Sequence, residues 1–185
     1  MFNFPASTKL VIFDFDGTIA SLDVDWGGLK SALRLRFPDV SFDSLLEGID
    51  AVRSQNNKDN LRECFDLIAQ FEHAHLDALR PRDNVITFIR ENSDRFTFAI
   101  CSSNTVSTLQ AALKRLDVAS TMHAIVGGDS VTHSKPHPEG ILSILKRTGV
   151  SASNTVYLGD REIDRETGKN AGVEVMLMEE HYWSS

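Results

Sequence analysis

The sequence has few cysteines and no long apolar run, and both absences narrow the classes of protein to which it can belong. Only Cys64 and Cys101 are present among 185 residues, each within an apolar run. This argues against a disulfide framework and favours small buried thiols in a reducing compartment. No stretch reaches the roughly 18 consecutive apolar residues of a membrane-spanning helix, and the first residues lack the basic start of a signal peptide. We therefore expect a cytoplasmic protein.

The chain also lacks an excess of positive charge. Its 19 lysines and arginines are outnumbered by 26 aspartates and glutamates, which gives a net charge of -7. Nucleic acids and anionic membranes favour a basic face, so we expect neither as a partner and favour a small molecule. An anionic small molecule would need a site made locally positive by a metal ion, a lysine or backbone N–H groups. The oligomeric state stays open.

Five short runs rich in β-forming residues predict five strands. These runs lie at 10–13, 96–101, 124–126, 155–158 and 173–177. Segments of helical period lie between the later runs, at 105–116, 138–148 and near 162–171. Strands that alternate with helices indicate right-handed crossovers and a parallel sheet covered on both faces. The predicted fold class is therefore α/β, with a doubly wound parallel-sheet core.

Residues 20–79 interrupt this alternation, because they contain no convincing strand and have the periodicity of two or three helices. Their apolar positions recur at three- and four-residue steps and form two stripes. The stripes are Leu29, Leu33 and Phe37, and Leu61, Cys64, Ile68 and Phe71. We predict a small α-helical cap domain at 20–79, inserted into a core of 1–19 and 80–185. The acidic and aromatic segment 179–185 suits either a loose tail or a contact surface.

Polar residues collect where the predicted strands end. In an open parallel sheet, ligands bind at the carboxyl ends of the strands, where loops from several strands converge. These ends carry Asp14 and Asp16, Ser102, Ser103 and Asn104, Asp129, and Asp160 with Asp164 nearby. Carboxylates that lie close together need a cation, and oxygen ligands suit Mg²⁺, so Asp14 and Asp160 are the natural pair of metal ligands. Lys135, near the start of a predicted helix, adds a positive charge that suits a phosphate group.

Asp14 and Asp16 have the spacing that phosphoryl transfer requires of a nucleophile and an acid/base. Two residues apart in extended backbone, they can flank one substrate. Each candidate also has a simpler interpretation. An Asp-rich segment after a strand is often only a turn. Ser102 could cap the following helix, although Asn104 is the better cap candidate, and Asp164 could simply stabilise the first turn of a helix.

Four segments, in order along the chain, resemble the four signatures of the haloacid dehalogenase superfamily. They are Asp14-Phe15-Asp16-Gly17-Thr18, Ser102 after Ala99-Ile100-Cys101, Lys135 with Pro136 and Pro138, and Gly159-Asp160-Arg161-Glu162-Ile163-Asp164. The resemblance spans the whole predicted core. The helical insert directly after the first segment is similar to the cap of the phosphoglycolate phosphatase and β-phosphoglucomutase branch. The resemblance therefore implies a Rossmann-like core with a small cap that closes over small substrates.

The resemblance also implies a reaction, the hydrolysis of a small phosphate monoester that is phosphoglycolate-like or a sugar phosphate. Asp14 would attack phosphorus to form an aspartyl-phosphate. Asp16 would protonate the leaving alcohol and later activate water. Ser102, Ser103 and Lys135 would hold the phosphoryl oxygens.

The cofactor implied by the resemblance is Mg²⁺. It would be held by Asp14, the backbone carbonyl of Asp16, and Asp160, while Asp164 would orient water bound to the metal. An acid at the position of Asp16 favours phosphate esters over dehalogenation.

Two departures from the branch bear on its substrate and reaction: the first concerns the hinge and the substrate, and the second counts against a mutase. Asp-Ser commonly follows a few residues after the first signature, whereas this chain has Ala20-Ser21-Leu22-Asp23. Sugar phosphate mutases of the branch tend to carry a histidine in the segment after Thr18, and none stands there. The alternatives are a phosphosugar mutase of the same superfamily and a non-catalytic member that binds phosphorylated metabolites.

Overall fold

The computed structural model describes residue 2 and residues 4–178, so the segment 179–185 and the question of its role lie outside the described residues. Within this part of the chain the strands are β1 (Leu10–Phe13), β2 (Ala20–Ser21), β3 (Arg80–Pro81), β4 (Thr97–Cys101), β5 (Met122–Val126), β6 (Thr155–Gly159) and β7 (Glu174–Leu177). Five of them form a parallel sheet in the order β5-β4-β1-β6-β7. The order reverses on either side of β1, which makes the carboxyl end of β1 the expected binding crevice.

The helices follow the strands in the alternation that the sequence predicts. They are α1 (Trp26–Arg36), α2 (Leu45–Ser54), α3 (Lys58–Ala74), α4 (Asp83–Glu91), α5 (Val106–Arg115), α6 (Glu139–Thr148) and α7 (Glu162–Ala171). Helices α6 and α7 end at Gly149 and Gly172, whose φ angles of +70° and +72° are those of left-handed caps. Among the described residues, no helix combines the length and apolar character needed to cross a membrane.

Both faces of the large sheet are buried. Along β1 the side chains alternate between two apolar clusters, with Val11 and Phe13 in one and Leu10 and Ile12 in the other. Burying each such side chain contributes about 1.5–3 kcal/mol, so β1 is firmly held at the centre of the sheet. The predicted α/β class and doubly wound core are confirmed, and the residue that follows β1 has a fixed position.

The expectation that residues 20–79 contain no strand is wrong at their first two residues. Ala20 and Ser21 pair antiparallel with Pro81 and Arg80, which forms a two-stranded ribbon where the chain leaves the core and returns to it. A pairing of two residues is too short to produce an alternating apolar pattern, so the sequence carries no signal for it.

Helices α1, α2 and α3 share an apolar cluster of their own. The predicted stripe residues Leu29, Leu33 and Cys64 are fully buried in it, together with Ile49 and Val52 of α2. A separate cluster is what an inserted domain requires. The division into a cap at 20–79 and a core at 1–19 and 80–185 stays a prediction that this cluster supports.

Candidate active site

The candidate site begins where β1 ends. Asp14 follows Phe13 directly, is 7% exposed, and donates its backbone N–H to the carbonyl of Leu158 at 2.7 Å. Two residues on, Asp16 is half-buried, and its Oδ1 accepts the backbone N–H of Leu22 at 2.9 Å. Asp14 is therefore rigidly held by the sheet, whereas Asp16 stands on the turn beside it.

Gly17 completes this turn with a φ angle of +86°, which favours glycine. A Cβ atom at this position would lie 2.2 Å from Oδ2 of Asp160, which follows β6. The turn after β1 and the carboxylate after β6 can approach this closely only because residue 17 has no side chain.

Lys135 is the cation at the centre of the candidate site. Its Nζ donates hydrogen bonds to Oδ1 of Asp14 at 2.7 Å, to Oδ1 of Asp164 at 2.7 Å and to the hydroxyl of Tyr157 at 2.6 Å. The side chain of Lys135 is only 8% exposed. Burial alone would lower the pKa of Lys135, but the charges of Asp14 and Asp164 outweigh it and raise that pKa above its ordinary value. The lysine is therefore charged at neutral pH.

The carboxylates around Lys135 do not share one electrostatic environment. Burial raises the pKa of Asp14, the charge of Lys135 opposes that rise, and the charge of Asp164 adds to it. Burial also raises the pKa of Asp16, although the hydrogen bond from Leu22 opposes it. The pKa of Asp160 is raised to about 6 by burial and by the negative charges of Asp14 and Asp164. One lysine thus leaves negative charge that a further cation would stabilise.

The donor set fits Mg²⁺. One carboxylate oxygen from each of Asp14, Asp160 and Asp164 lies within 4.8 Å of the others. Oδ1 of Asp160 is buried and has no hydrogen-bond partner among the described residues. An unpaired buried oxygen is costly, and a hard cation would satisfy it. Asp164 is less available, because Oδ1 accepts from Lys135 and Oδ2 accepts from the backbone N–H of Arg161 at 3.2 Å.

Ser102 lies on the opposite side of Asp14, where β4 ends. Its backbone N–H donates to the carbonyl of Val126 at 3.0 Å, and its Oγ donates to Oδ1 of Asn104 at 2.9 Å. A hydrogen bond from Ser102 also lowers the pKa of Asp14, so the two side chains are in contact. Ser103 is exposed and lines the same cleft as Ser102 and Lys135. The structure therefore gathers all the residues predicted to bind metal or phosphate at one edge of the sheet.

One sequence-based interpretation of a helix start is wrong, and another is correct but incomplete. The first residue before α5 is Thr105, so Asn104 is not the helix cap, and its amide lies between Ser102 and Glu72 instead. Asp164 does stabilise the start of α7 by accepting from Arg161, and it binds Lys135 as well. The simple reading of Asp164 and a role in the site are therefore compatible.

No sequence motif marks Tyr157, which lies in β6 and is fully buried. Its hydroxyl accepts from Lys135, and its single proton can be donated either to Oδ1 of Asp164, at 2.9 Å, or to the carbonyl of Cys101, at 3.0 Å. The available signal was a tyrosine within an otherwise apolar strand, because a buried hydroxyl needs a partner.

Two polar side chains of α2 and α3 also reach the site. Nη1 of Arg53 donates to Oγ of Ser134 at 2.7 Å, directly beside Lys135, and Nη2 donates to the carbonyl of Gly128. Glu72 is 1% exposed and contacts the loop after β4. Between α2 and the core, the cleft has a volume of about 20 Å³, which is room for about one water molecule.

The pKa of Asp160 predicts how the stability of the metal-free protein depends on pH. Its folded-state value of about 6 lies above the ordinary value of about 3.9. The folded protein then holds a proton that the unfolded chain has released, so this contribution to stability is complete below about pH 4 and is lost as the pH rises through about 6. In EDTA near neutral pH, Asp160→Asn should therefore unfold at a higher urea concentration than the wild type.

The same pair of proteins tests the metal site. Millimolar Mg²⁺ should raise the unfolding temperature of the wild type near neutral pH by several degrees and that of Asp160→Asn much less, since binding to the folded state stabilises it. Equal shifts in both proteins, measured by differential scanning calorimetry, would rule out Asp160 as a ligand.

The sheet order, with the binding crevice expected at the end of β1, is that of a Rossmann-like α/β fold. Residues 11–178 match the family model of the haloacid dehalogenase-like hydrolases, and the chain belongs to this family. The predicted family and the predicted hydrolase class are thereby confirmed.

Individual relatives cover most of the chain. A phosphoglycolate phosphatase from Aquifex aeolicus is 25% identical over 180 residues, which are 91% of this chain and 84% of that protein. A solved hydrolase from Pseudomonas syringae has a TM-score of 0.70 at 17% identity and covers 91% of this chain and 83% of its own. A haloacid dehalogenase-type hydrolase from Bacillus subtilis, solved with magnesium, has a TM-score of 0.60 at 19% identity, with coverage of 92% and 86%. At these identities the solved structures support the fold.

Proposed function

We propose that the protein is a Mg²⁺-dependent phosphatase that hydrolyses a small phosphate monoester through an aspartyl-phosphate on Asp14. The observation that carries the proposal is the buried contact of Lys135 with Asp14 at the end of β1, beside an unpaired oxygen of Asp160. Phosphoryl transfer needs a nucleophile, a fixed cation and an oxygen that is free to bind a metal ion, and one crevice contains all three.

In the first step, the carboxylate of Asp14 attacks phosphorus while the bond from phosphorus to the alcohol oxygen breaks. Asp16 gives its proton to that departing oxygen. Burial raises the pKa of Asp16 and so favours the protonated form that this step requires. In the second step, Asp16 takes a proton from water, and the water oxygen attacks phosphorus and releases Asp14 and inorganic phosphate.

Lys135 keeps Asp14 in place and reduces the repulsion between its carboxylate and an anionic substrate. It is itself held by Asp164 and Tyr157, so its Nζ has little freedom to move. Ser102 and Ser103, with Lys135, would bind the phosphoryl oxygens. We assign to Asp164 the task of holding Lys135, while its predicted role in orienting water at the metal stays a prediction.

The proposed Mg²⁺ site comprises the carboxylates of Asp14 and Asp160 and the backbone carbonyl of Asp16. When bound, the metal would neutralise charge on the phosphoryl oxygens. The magnesium in the solved Bacillus subtilis relative supports this choice of cofactor.

We propose a small phosphorylated metabolite as substrate, phosphoglycolate-like or a sugar phosphate. The support is the name of the Aquifex aeolicus relative, a phosphoglycolate phosphatase. We also propose a cytoplasmic location. The support is that Cys64 and Cys101 are both free, buried thiols, as is usual for proteins of a reducing compartment.

The test is the release of inorganic phosphate from a panel of small phosphate monoesters, with Mg²⁺ or with EDTA. We expect release from at least one compound in Mg²⁺ and loss of release in EDTA. Analysis of the same mixtures by ³¹P NMR would reveal an isomerised substrate. An isomer without phosphate release would indicate the mutase alternative, and binding without any reaction would indicate a non-catalytic member.

A further inference from the structure

Glu72, in the last turn of α3, is a buried carboxylate that the proposed reaction does not use. It is 1% exposed, and both of its oxygens accept hydrogen bonds from the loop after β4. Oε1 accepts from Nδ2 of Asn104 at 2.8 Å, and Oε2 accepts from the backbone N–H and the hydroxyl of Thr105, at 3.1 and 2.7 Å. Helix α3 is thus attached to the loop that carries Ser102.

The contact with Glu72 fixes which way the amide of Asn104 faces. The side chain of Asn104 presents its NH₂ group to Oε1 of Glu72, because that oxygen is the acceptor in this contact. Its Oδ1 then faces Ser102, whose Oγ donates to it at 2.9 Å. Asn104 and Ser102 are both buried, which limits competition from water.

This arrangement matters because the hydroxyl of Ser102 has one proton and more than one acceptor. Asp14 is a second acceptor, and a phosphoryl oxygen would be a third. Without the carbonyl of Asn104 beside it, Oγ could turn to another staggered position. The amide of Asn104 thus holds Oγ where a phosphoryl oxygen can reach it.

We propose that Glu72 is a positioning residue that acts through Asn104 on Ser102, so that the phosphate-binding hydroxyl is correctly oriented only while α3 contacts the loop after β4. The inference rests on the proposed function, because it takes Ser102 as a ligand of the phosphoryl group. It links the position of α3, outside the large sheet, to affinity for phosphate within the crevice.

The test replaces Glu72 by glutamine, which keeps the shape of the side chain but has only one accepting atom at its end. Its NH₂ group must then face either Asn104 or the donors of Thr105. We expect kcat/KM to fall roughly tenfold, and the affinity for inorganic phosphate, measured by calorimetric titration in Mg²⁺, to fall by a similar factor. Asp66→Asn, at an exposed position of the same helix, is the matched control and should stay within about twofold of the wild type.

A double-mutant cycle with Ser102→Ala separates positioning from general structural damage. If Glu72 acts through Ser102, adding Glu72→Gln to Ser102→Ala should lower phosphate affinity less than about twofold further. Asn104→Ala breaks the same connection from its other side and should match Glu72→Gln, with no added effect when the two are combined. If circular dichroism shows that Glu72→Gln does not fold, Asn104→Ala provides the same test.

Two results would overturn the inference while leaving the proposed function intact. The first is a phosphate affinity of Glu72→Gln or Asn104→Ala that equals that of the wild type, while the affinity of Ser102→Ala is reduced. The second is that Glu72→Gln lowers phosphate affinity by the same factor in the wild type and in the Ser102→Ala variant. If Ser102→Ala itself leaves both turnover and phosphate affinity unchanged, the proposed role of Ser102 is wrong, and the inference fails with it.

Discussion

Asp14→Asn should abolish phosphate release, with a loss of at least about a thousandfold in kcat. An amide cannot replace the carboxylate as the attacking group, and no other residue stands at the end of β1 in the same position. The fold should persist, because asparagine has the same shape and its carbonyl can still accept the hydrogen bond that Lys135 gives to Oδ1 of Asp14. Phosphate release tests the loss of activity, and thermal unfolding followed by circular dichroism on the same preparations tests whether the fold persists.

The control for this substitution is Asp94→Asn, which makes the same chemical change at an exposed position. It should retain the turnover of the wild type. Turnover by Asp14→Asn above about one per cent of the wild-type rate would contradict the nucleophile assignment.

Lys135→Met should be the most destabilising substitution in the site as well as an inactivating one. It removes the cation that pairs with Asp14 and Asp164, both buried. Removing one partner of a buried ion pair typically costs about 3–5 kcal/mol, because the remaining charge is uncompensated. Urea unfolding near neutral pH should show that the free energy of unfolding falls by an amount of this order. The control, Lys146→Met at an exposed position of α6, should change it little.

The loss in Lys135→Met should also depend on pH. Without the opposing charge of Lys135, burial would raise the pKa of Asp14 further above that of the unfolded chain. The folded variant would hold a proton that the unfolded chain releases, so its stability falls as the pH rises through the folded-state pKa. Equal stability of the variant and the wild type at every pH would show that the ion pair contributes nothing to folding.

The strongest predictions from the sequence concern elements whose signals are local. The bounds of β1 and α7 agree with the predicted 10–13 and 162–171, because an apolar run in the first case and a helical period before Gly172 in the second mark them clearly. Asp14 and Asp160 could be assigned to one edge because parallel strands end on the same side of a sheet. This reasoning needs only that the strands run parallel, and the structure brings the two residues together as expected.

The missed residues depend on contacts between distant parts of the chain. Glu72 lies on a helix where a glutamate is most often solvated, and its burial arises only when α3 meets the loop after β4. Tyr157 fits a strand by its own propensity, and its place in an apolar strand signals only that its hydroxyl needs a partner, not that the partners are Lys135 and Asp164. The position of Asn104 just before a helical pattern predicts a helix cap. The sequence alone cannot show that its side chain contacts Glu72 instead.

The central position of β1 has a consequence for how the protein is made. Leu10 pairs with Thr97 on one side and with Thr155 on the other, so both neighbours of β1 are synthesised long after it. Until then its four apolar residues have no sheet to join, and the newly made strand is a natural target for chaperones. Because the same pairings position Asp14, no fragment that ends before β6 can be active, and turnover reports that β1 has paired with both β4 and β6.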